Sequence, residues 1–118
     1  MEDDVEIERV ELLRRIGEVI ERHVEAAHRY ASIEEAARQW MDSGFEDAEE
    51  VDEWLAARCF NAAGARALEM AGITPDQAAM LTRAGTGEYE ETIGYKIIKG
   101  DLSIDEARRI ITSAFWNS

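Results

Sequence analysis

The sequence predicts an all-α fold: a compact orthogonal bundle of one long N-terminal helix followed by about six short helices. Three observations carry this. The 118 residues hold 18 Ala and 1 Pro against few Val and Thr, a balance that favours helix over sheet on intrinsic propensity. Apolar residues recur at three- and four-residue steps, the spacing of a helical stripe. After Ser32 the chain is punctuated by side chains that cap helix starts and glycines that end helices.

The first element spans 4–31. Leu13, Ile16, Ile20, Val24, Ala27 and Ala31 form its stripe, and Val5, Leu12, Val19 and Ala26 add a seven-residue spacing on a neighbouring face. So wide an apolar band serves a core and a partner together, and a homodimer through residues 5–31 is the assembly it predicts. Gly17 costs roughly 1 kcal/mol relative to Ala in a helix interior, and marks either close approach of another helix or a tolerated surface position.

The short elements each carry start and stop signals. Ser32-Ile33-Glu34-Glu35, Thr74-Pro75-Asp76-Gln77 and Ser103-Ile104-Asp105-Glu106 have the spacing of a capping box, whose two side chains satisfy backbone donors that a first helical turn leaves free. Asp47 and Asn61 are further caps, and Pro75 at a first helical position loses no needed donor. Gly44, Gly72, Gly85 and Gly100 fall where a left-handed residue would end each helix. Helices are therefore expected over 33–43, 48–58, 62–71, 75–84, 90–99 and 104–116. Within 90–99, Ile93-Gly94-Tyr95-Lys96-Ile97-Ile98 also suits an extended segment, but a lone strand would have no partner, so helix is preferred.

The caps at 32, 47, 61 and 74 are separated by 15, 14 and 13 residues, and the units repeat in content. Trp40-x-x-x-Gly44-Phe45 corresponds to Trp54-x-x-x-Arg58-Cys59 and to Leu68-x-x-x-Gly72-Ile73. This period is too short for two-helix repeat arrays of roughly 34 residues, which favours a bundle over a solenoid. Trp40, Trp54, Phe45 and Phe60 recur with these units and are assigned to the core. A mass of 13.3 kDa fits one domain, residues 1–118: the long helix 4–31 and a short-helix bundle over 32–118.

Several function classes are disfavoured. No apolar run approaches the roughly 18 to 20 residues of a membrane span, and Met1-Glu2-Asp3-Asp4 lacks the basic start of a signal peptide, so a soluble intracellular protein is expected. The single Cys59 forms no internal disulfide, which suits a reducing compartment, and its expected role is that of a small buried apolar group. Glu25-x-x-His28 has the spacing of a di-metal helix motif, with Glu18 and Glu21 nearby, but no second such motif exists and His23 lies five residues away; a solvated helix face is the preferred reading, with no metal site. Gly85-Thr86-Gly87 lacks the Gly-Lys-Ser/Thr of a phosphate loop. No nucleophile, base and orienting group assemble, so neither an enzyme nor a cofactor is expected.

Charge is the strongest functional clue. The chain has 13 basic and 26 acidic residues, net −13, and residues 1–59 hold 18 of the acids against 7 bases while residues 60–118 hold 8 against 6. Self-repulsion disfavours direct nucleic-acid binding without a local basic face. Asp42, Glu46, Asp47, Glu49, Glu50, Asp52 and Glu53 place seven carboxylates in twelve positions with no intervening base. One or two acids suffice to complement a helix dipole, so the excess serves either solubility or a surface that presents spaced negative charge to a basic groove. Phe115 and Trp116, close to the last residue, either latch the final helix or join a partner surface.

Trp40-x-x-x-Gly44-Phe45, Ala71-Gly72-Ile73-Thr74-Pro75-x-x-Ala78-Ala79 and Thr92-Ile93-Gly94-Tyr95-Lys96-x-x-x-Gly100-Asp101-Leu102-Ser103 resemble stretches of small acidic helical proteins of phages and mobile elements, anti-CRISPR inhibitors among them. The resemblance covers a little over half the chain. It implies a nucleic-acid mimic acting in the cytoplasm of a bacterial host, one that blocks a protein or ribonucleoprotein complex by occupying its basic surface. It carries over no individual residue. The expected partner-binding residues are therefore the seven acids with Phe115 and Trp116. Two rivals stand beside this reading: a self-associating structural or adaptor module, and a nucleic-acid binder using Arg58, Arg66, Arg83, Lys96, Lys99, Arg108 and Arg109, which would have to converge on one face.

Overall fold

A computed structural model describes residues 2–87 and 89–116, with side chains over 7–87 and 89–114. Its described residues form α1 (Glu2–Arg22), α2 (Val24–Arg29), α3 (Ile33–Asp42), α4 (Ala48–Ala56), α5 (Ala62–Met70), α6 (Pro75–Ala78), β1 (Leu81–Thr82), β2 (Glu91–Thr92), α7 (Ile93–Lys99) and α8 (Ile104–Trp116). The fold is mainly α-helical and bundle-like, as the sequence predicts.

Helix ends elsewhere differ from expectation by one or two residues, as at Asp42, Ala56 and Met70, but three differences are larger. The helix predicted over 4–31 breaks at His23, which leaves helical geometry at φ −94°, ψ 89°. His23 Nε2 lies 2.5 Å from Asp52 Oδ1 on α4, so a side-chain tether at the break replaces helix continuation. Neither Gly nor Pro marks the break, and the apolar stripe runs through it to the buried Ala26. Second, the helix expected over 75–84 ends at Ala78. The Met80 carbonyl accepts from Ile93 N–H at 2.9 Å, and Leu81 and Thr82 pair antiparallel with Thr92 and Glu91. Third, the helix expected over 90–99 begins only at Ile93, because Glu91 and Thr92 form that second strand. The partner for an extended segment, absent from the sequence reading, is this ten-residue-distant stretch of the same chain. Thr92 fixes the junction: its hydroxyl donates to Ala57 O at 2.7 Å and accepts from Tyr95 N–H at 3.1 Å, capping α7.

The 14-residue repeat is a repeat of one helix stop. Phe45 N–H reaches back to Trp40 O (3.2 Å), Cys59 to Trp54 O (3.0 Å) and Ile73 to Leu68 O (3.0 Å), each across a left-handed residue. This is the Schellman closure, which satisfies carbonyls at a helix end. In each unit both the residue donating and the residue accepting are buried, so the turn ties two core side chains together. Gly44 and Gly72 occupy the left-handed position in two units, at φ 102° and 85°. Arg58 occupies it in the third, at φ 64°, where a side chain costs roughly 1–2 kcal/mol.

Each predicted cap accepts from its helix's first turn, but of the three expected capping boxes only that of Thr74 closes in full. Thr74 and Gln77 complete a reciprocal capping box, and Ser32, Asp47 and Asn61 each accept from a first-turn N–H. Ser103 accepts from Glu106 N–H and donates to the Glu106 carboxylate instead of closing a full box. The core gathers Ile16, Val19 and Ile20 of α1 with Trp40, Phe45, Val51, Trp54, Leu55, Leu68 and Ile93. α1 packs on α3 and α4, while Ile7 and Val10 in its first half stay 65% and 66% exposed.

Candidate interaction surfaces

The seven acids of the predicted cluster divide by what holds them. Asp47 caps α4, its Oδ1 accepting from Glu49 N–H at 2.9 Å. Asp52 holds His23 at the α1–α2 break. Glu50 is half-buried against Glu69 of α5, and hydrogen bonding to that carboxyl, then burial, then its charge push the Glu50 carboxyl up to about 7. Glu69 also receives Arg66 Nη1 at 2.5 Å, and its Oε2 is buried with no partner among the described residues, an acceptor suited to a Glu50 proton. These three acids are occupied structurally.

Asp42, Glu46, Glu49 and Glu53 are different. All four are exposed, and among the described residues no salt bridge or side-chain hydrogen bond engages them. They follow one another from the end of α3, through the turn, along α4. Glu46 lines a groove with Glu8, Arg9, Glu11 and Arg15 of α1, so the surface there is of mixed charge, and Glu11 is paired with Arg14 and Arg15. The side chains of Phe115 and Trp116 lie outside the described residues.

The seven bases proposed for nucleic-acid contact do not gather. Lys96 is fully buried and donates to Ala84 O at 2.7 Å, Arg66 pairs with Glu69, and Arg83 sits 3.9 Å from Glu90. Arg108 and Arg109 are on α8. Only Arg58 and Lys99 meet, around a ring that the sequence reading left unassigned. Tyr95 has the Arg58 guanidinium 4.3 Å, Lys99 Nζ 4.8 Å and the Arg29 guanidinium 5.4 Å from its ring centre. Arg29 also lies 4.8 Å over Phe60, and Phe60 meets Tyr95 edge-on at 6.1 Å.

Carboxylates hold this group together. Glu25 binds Arg58 at 2.6 Å and Arg29 at 3.4 Å, and the Arg58 hydrogen bond holds its carboxyl below the usual range. Lys99 sits 2.9 Å from Glu91 and 3.1 Å from Asp101. Glu25, spaced like a metal ligand with respect to His28, is thus a bridge between arginines. The legible signal for this cluster was Arg58, the one non-glycine in the repeated turn. Arg29, Phe60 and Tyr95 carried no signal, because their meeting depends on the unforeseen α2 and the shifted start of α7.

Cys59 is fully buried, and burial pushes its thiol up to about 12, so it serves packing as expected. No helix among the described residues is long and apolar enough to cross a membrane. No protein-family model matches the chain, and neither a curated protein nor a solved structure does.

Proposed function

We propose that this is a non-enzymatic binding protein that docks its acidic surface on the basic face of a nucleic-acid-binding protein or ribonucleoprotein complex and so competes with nucleic acid, the mode that the anti-CRISPR resemblance implies. One observation carries it: four carboxylates of the cluster are exposed and, among the described residues, engage no cation and no side-chain hydrogen bond, next to three that have a structural task. Exposed like charges raise the local negative potential and steer a basic partner, at some cost in self-repulsion. The test is capture from a bacterial host extract by immobilised protein. The wild type is expected to retain nucleic-acid-binding proteins that elute with salt, since such attraction is screened over about 8 to 10 Å at physiological ionic strength. Reversal of Asp42, Glu46, Glu49 and Glu53 to Lys is expected to abolish retention while helical content is unchanged. Equal retention by both proteins would sink the reading.

A second reading, self-association through α1, rests on the exposed Ile7 and Val10 beside an open groove of about 940 Å³ that reaches Leu12, Met41 and Phe45. It predicts a dimer whose mass by light scattering falls to that of one chain on Ile7→Glu/Val10→Glu substitution. A wild-type monomer at high concentration removes it.

A further inference from the structure

A cleft of about 480 Å³ opens beside the cation–aromatic cluster, between the end of α2, α3, the start of α5 and α7. Its volume is within the range of small-molecule sites, roughly 300–1,000 Å³. Its lining combines Arg29 and Lys99, the rings of Phe60 and Tyr95, and the amides of Gln39 and Asn61, with the exposed Glu35 carboxylate on the α3 side. Its cations are matched by carboxylates: Glu25 on Arg29 and Arg58, and Glu91 and Asp101 on Lys99.

The cations are not equally satisfied. Lys99 has two carboxylates within 3.1 Å, and Arg58 has Glu25 at 2.6 Å. Arg29 reaches that same Glu25 only at 3.4 Å and otherwise donates to the Tyr95 hydroxyl at 3.1 Å, so it retains the greatest capacity for a further anion. The amide N–H groups of Gln39 and Asn61 have no protein acceptor among the described residues, although Asn61 Oδ1 is engaged by Gly64 N–H. Behind Tyr95, Arg58 keeps its left-handed backbone where the sister turns use glycine, and its Nε is buried without a partner among the described residues. Backbone strain of this kind concentrates at binding sites, where surrounding contacts over-determine it.

We infer that this cleft binds a small aryl anion, a flat ring bearing a phosphate or carboxylate, with the ring against Phe60 and Tyr95 and the anionic group on Arg29 and the Gln39 and Asn61 amides. Rings favour edge-on or offset contact with aromatic walls, and a guanidinium matches both carboxylate and phosphate geometry. The site is independent of the acidic surface and does not require that surface to act.

The experiment is an amide NMR titration of the wild-type chain with phenyl phosphate, inorganic phosphate and phenol, followed by benzoate. Phenyl phosphate is expected to shift the side-chain amides of Gln39 and Asn61 saturably and to bind about tenfold more tightly than either fragment. Arg29→Gln, at an exposed position, is expected to weaken it by about tenfold while helical content by circular dichroism is unchanged. Benzoate distinguishes the two anionic groups: saturation by either compound supports the site. No saturation by either up to about 10 mM, or a response to inorganic phosphate equal to that to phenyl phosphate, overturns it.

Discussion

At Gly94 the first turn of α7 meets Cys59 so closely that a Cβ would overlap Sγ and stand 3.2 Å from the Ala78 Cβ. Gly94→Ala is therefore expected to cost about 2 kcal/mol in denaturant unfolding, within the range for overpacking a core. Because the sulfur is the main obstacle, adding Cys59→Ala should recover part of that loss, a coupling of about 1 kcal/mol in a double-mutant cycle. Additive effects would show that the two residues do not meet. Arg58 poses a different residue-scale question. Replacing it with Gly removes both the left-handed strain and the contacts to Glu25 and Tyr95, whereas Ala removes the contacts and keeps the strain. Arg58→Ala should thus be less stable than Arg58→Gly by about 1 kcal/mol, and equal stabilities would place no strain at this turn.

Among the elements, α3 and α5 were legible because each combines a polar cap, an apolar stripe and a glycine stop in local sequence, whereas α4 shows its cap and stripe but ends at Ala56 before a left-handed Arg58 that no local stop residue marks. The repeat of Trp40, Trp54 and Leu68 even located the Schellman turns. The break at His23 was not legible, since it depends on Asp52, 29 residues away, and no local breaker marks it. The hairpin of β1 and β2 failed to show for a related reason: two residues per strand give no alternation to read, and the tie from Thr92 to Ala57 spans 35 residues. The candidate surfaces follow the same division. The acidic run was visible as a run, but its separation into structural and free carboxylates needed tertiary neighbours. On α1, a Cβ at Gly17 would meet Ile33 Cγ2 at 3.5 Å, an ordinary contact. Close helix approach is present without requiring glycine, so Gly17→Ala should stabilise the protein by roughly 0.5–1 kcal/mol, measured by chemical denaturation. A loss of stability would mean that α1 and α3 lie closer than this.

For the molecule as a whole, pH dependence reports on both the fold and the acidic surface. The Glu50 carboxyl is raised from its ordinary value to about 7 in the folded protein, chiefly by the neighbouring Glu69 carboxyl, whose Oε2, unpartnered among the described residues, favours a protonated Glu50. The folded state then binds more protons than the unfolded state between those values, so this pair's contribution is fully present below about 4.5 and is lost as pH rises through about 7. Thermal midpoints should accordingly fall between pH 5 and pH 8, and Glu50→Gln should flatten that fall; an unchanged slope would separate Glu50 from Glu69. Glu50 is thereby unavailable as a simple surface charge, which leaves Asp42, Glu46, Glu49 and Glu53 as the proposed docking group. Competition at equilibrium tests the proposed displacement of nucleic acid: a captured partner bound to its labelled nucleic acid is titrated with this protein. Stoichiometric release of the nucleic acid, weakening as salt rises and absent for the fourfold charge reversal, is the result expected. Formation of a ternary complex in which the nucleic acid stays bound would contradict it.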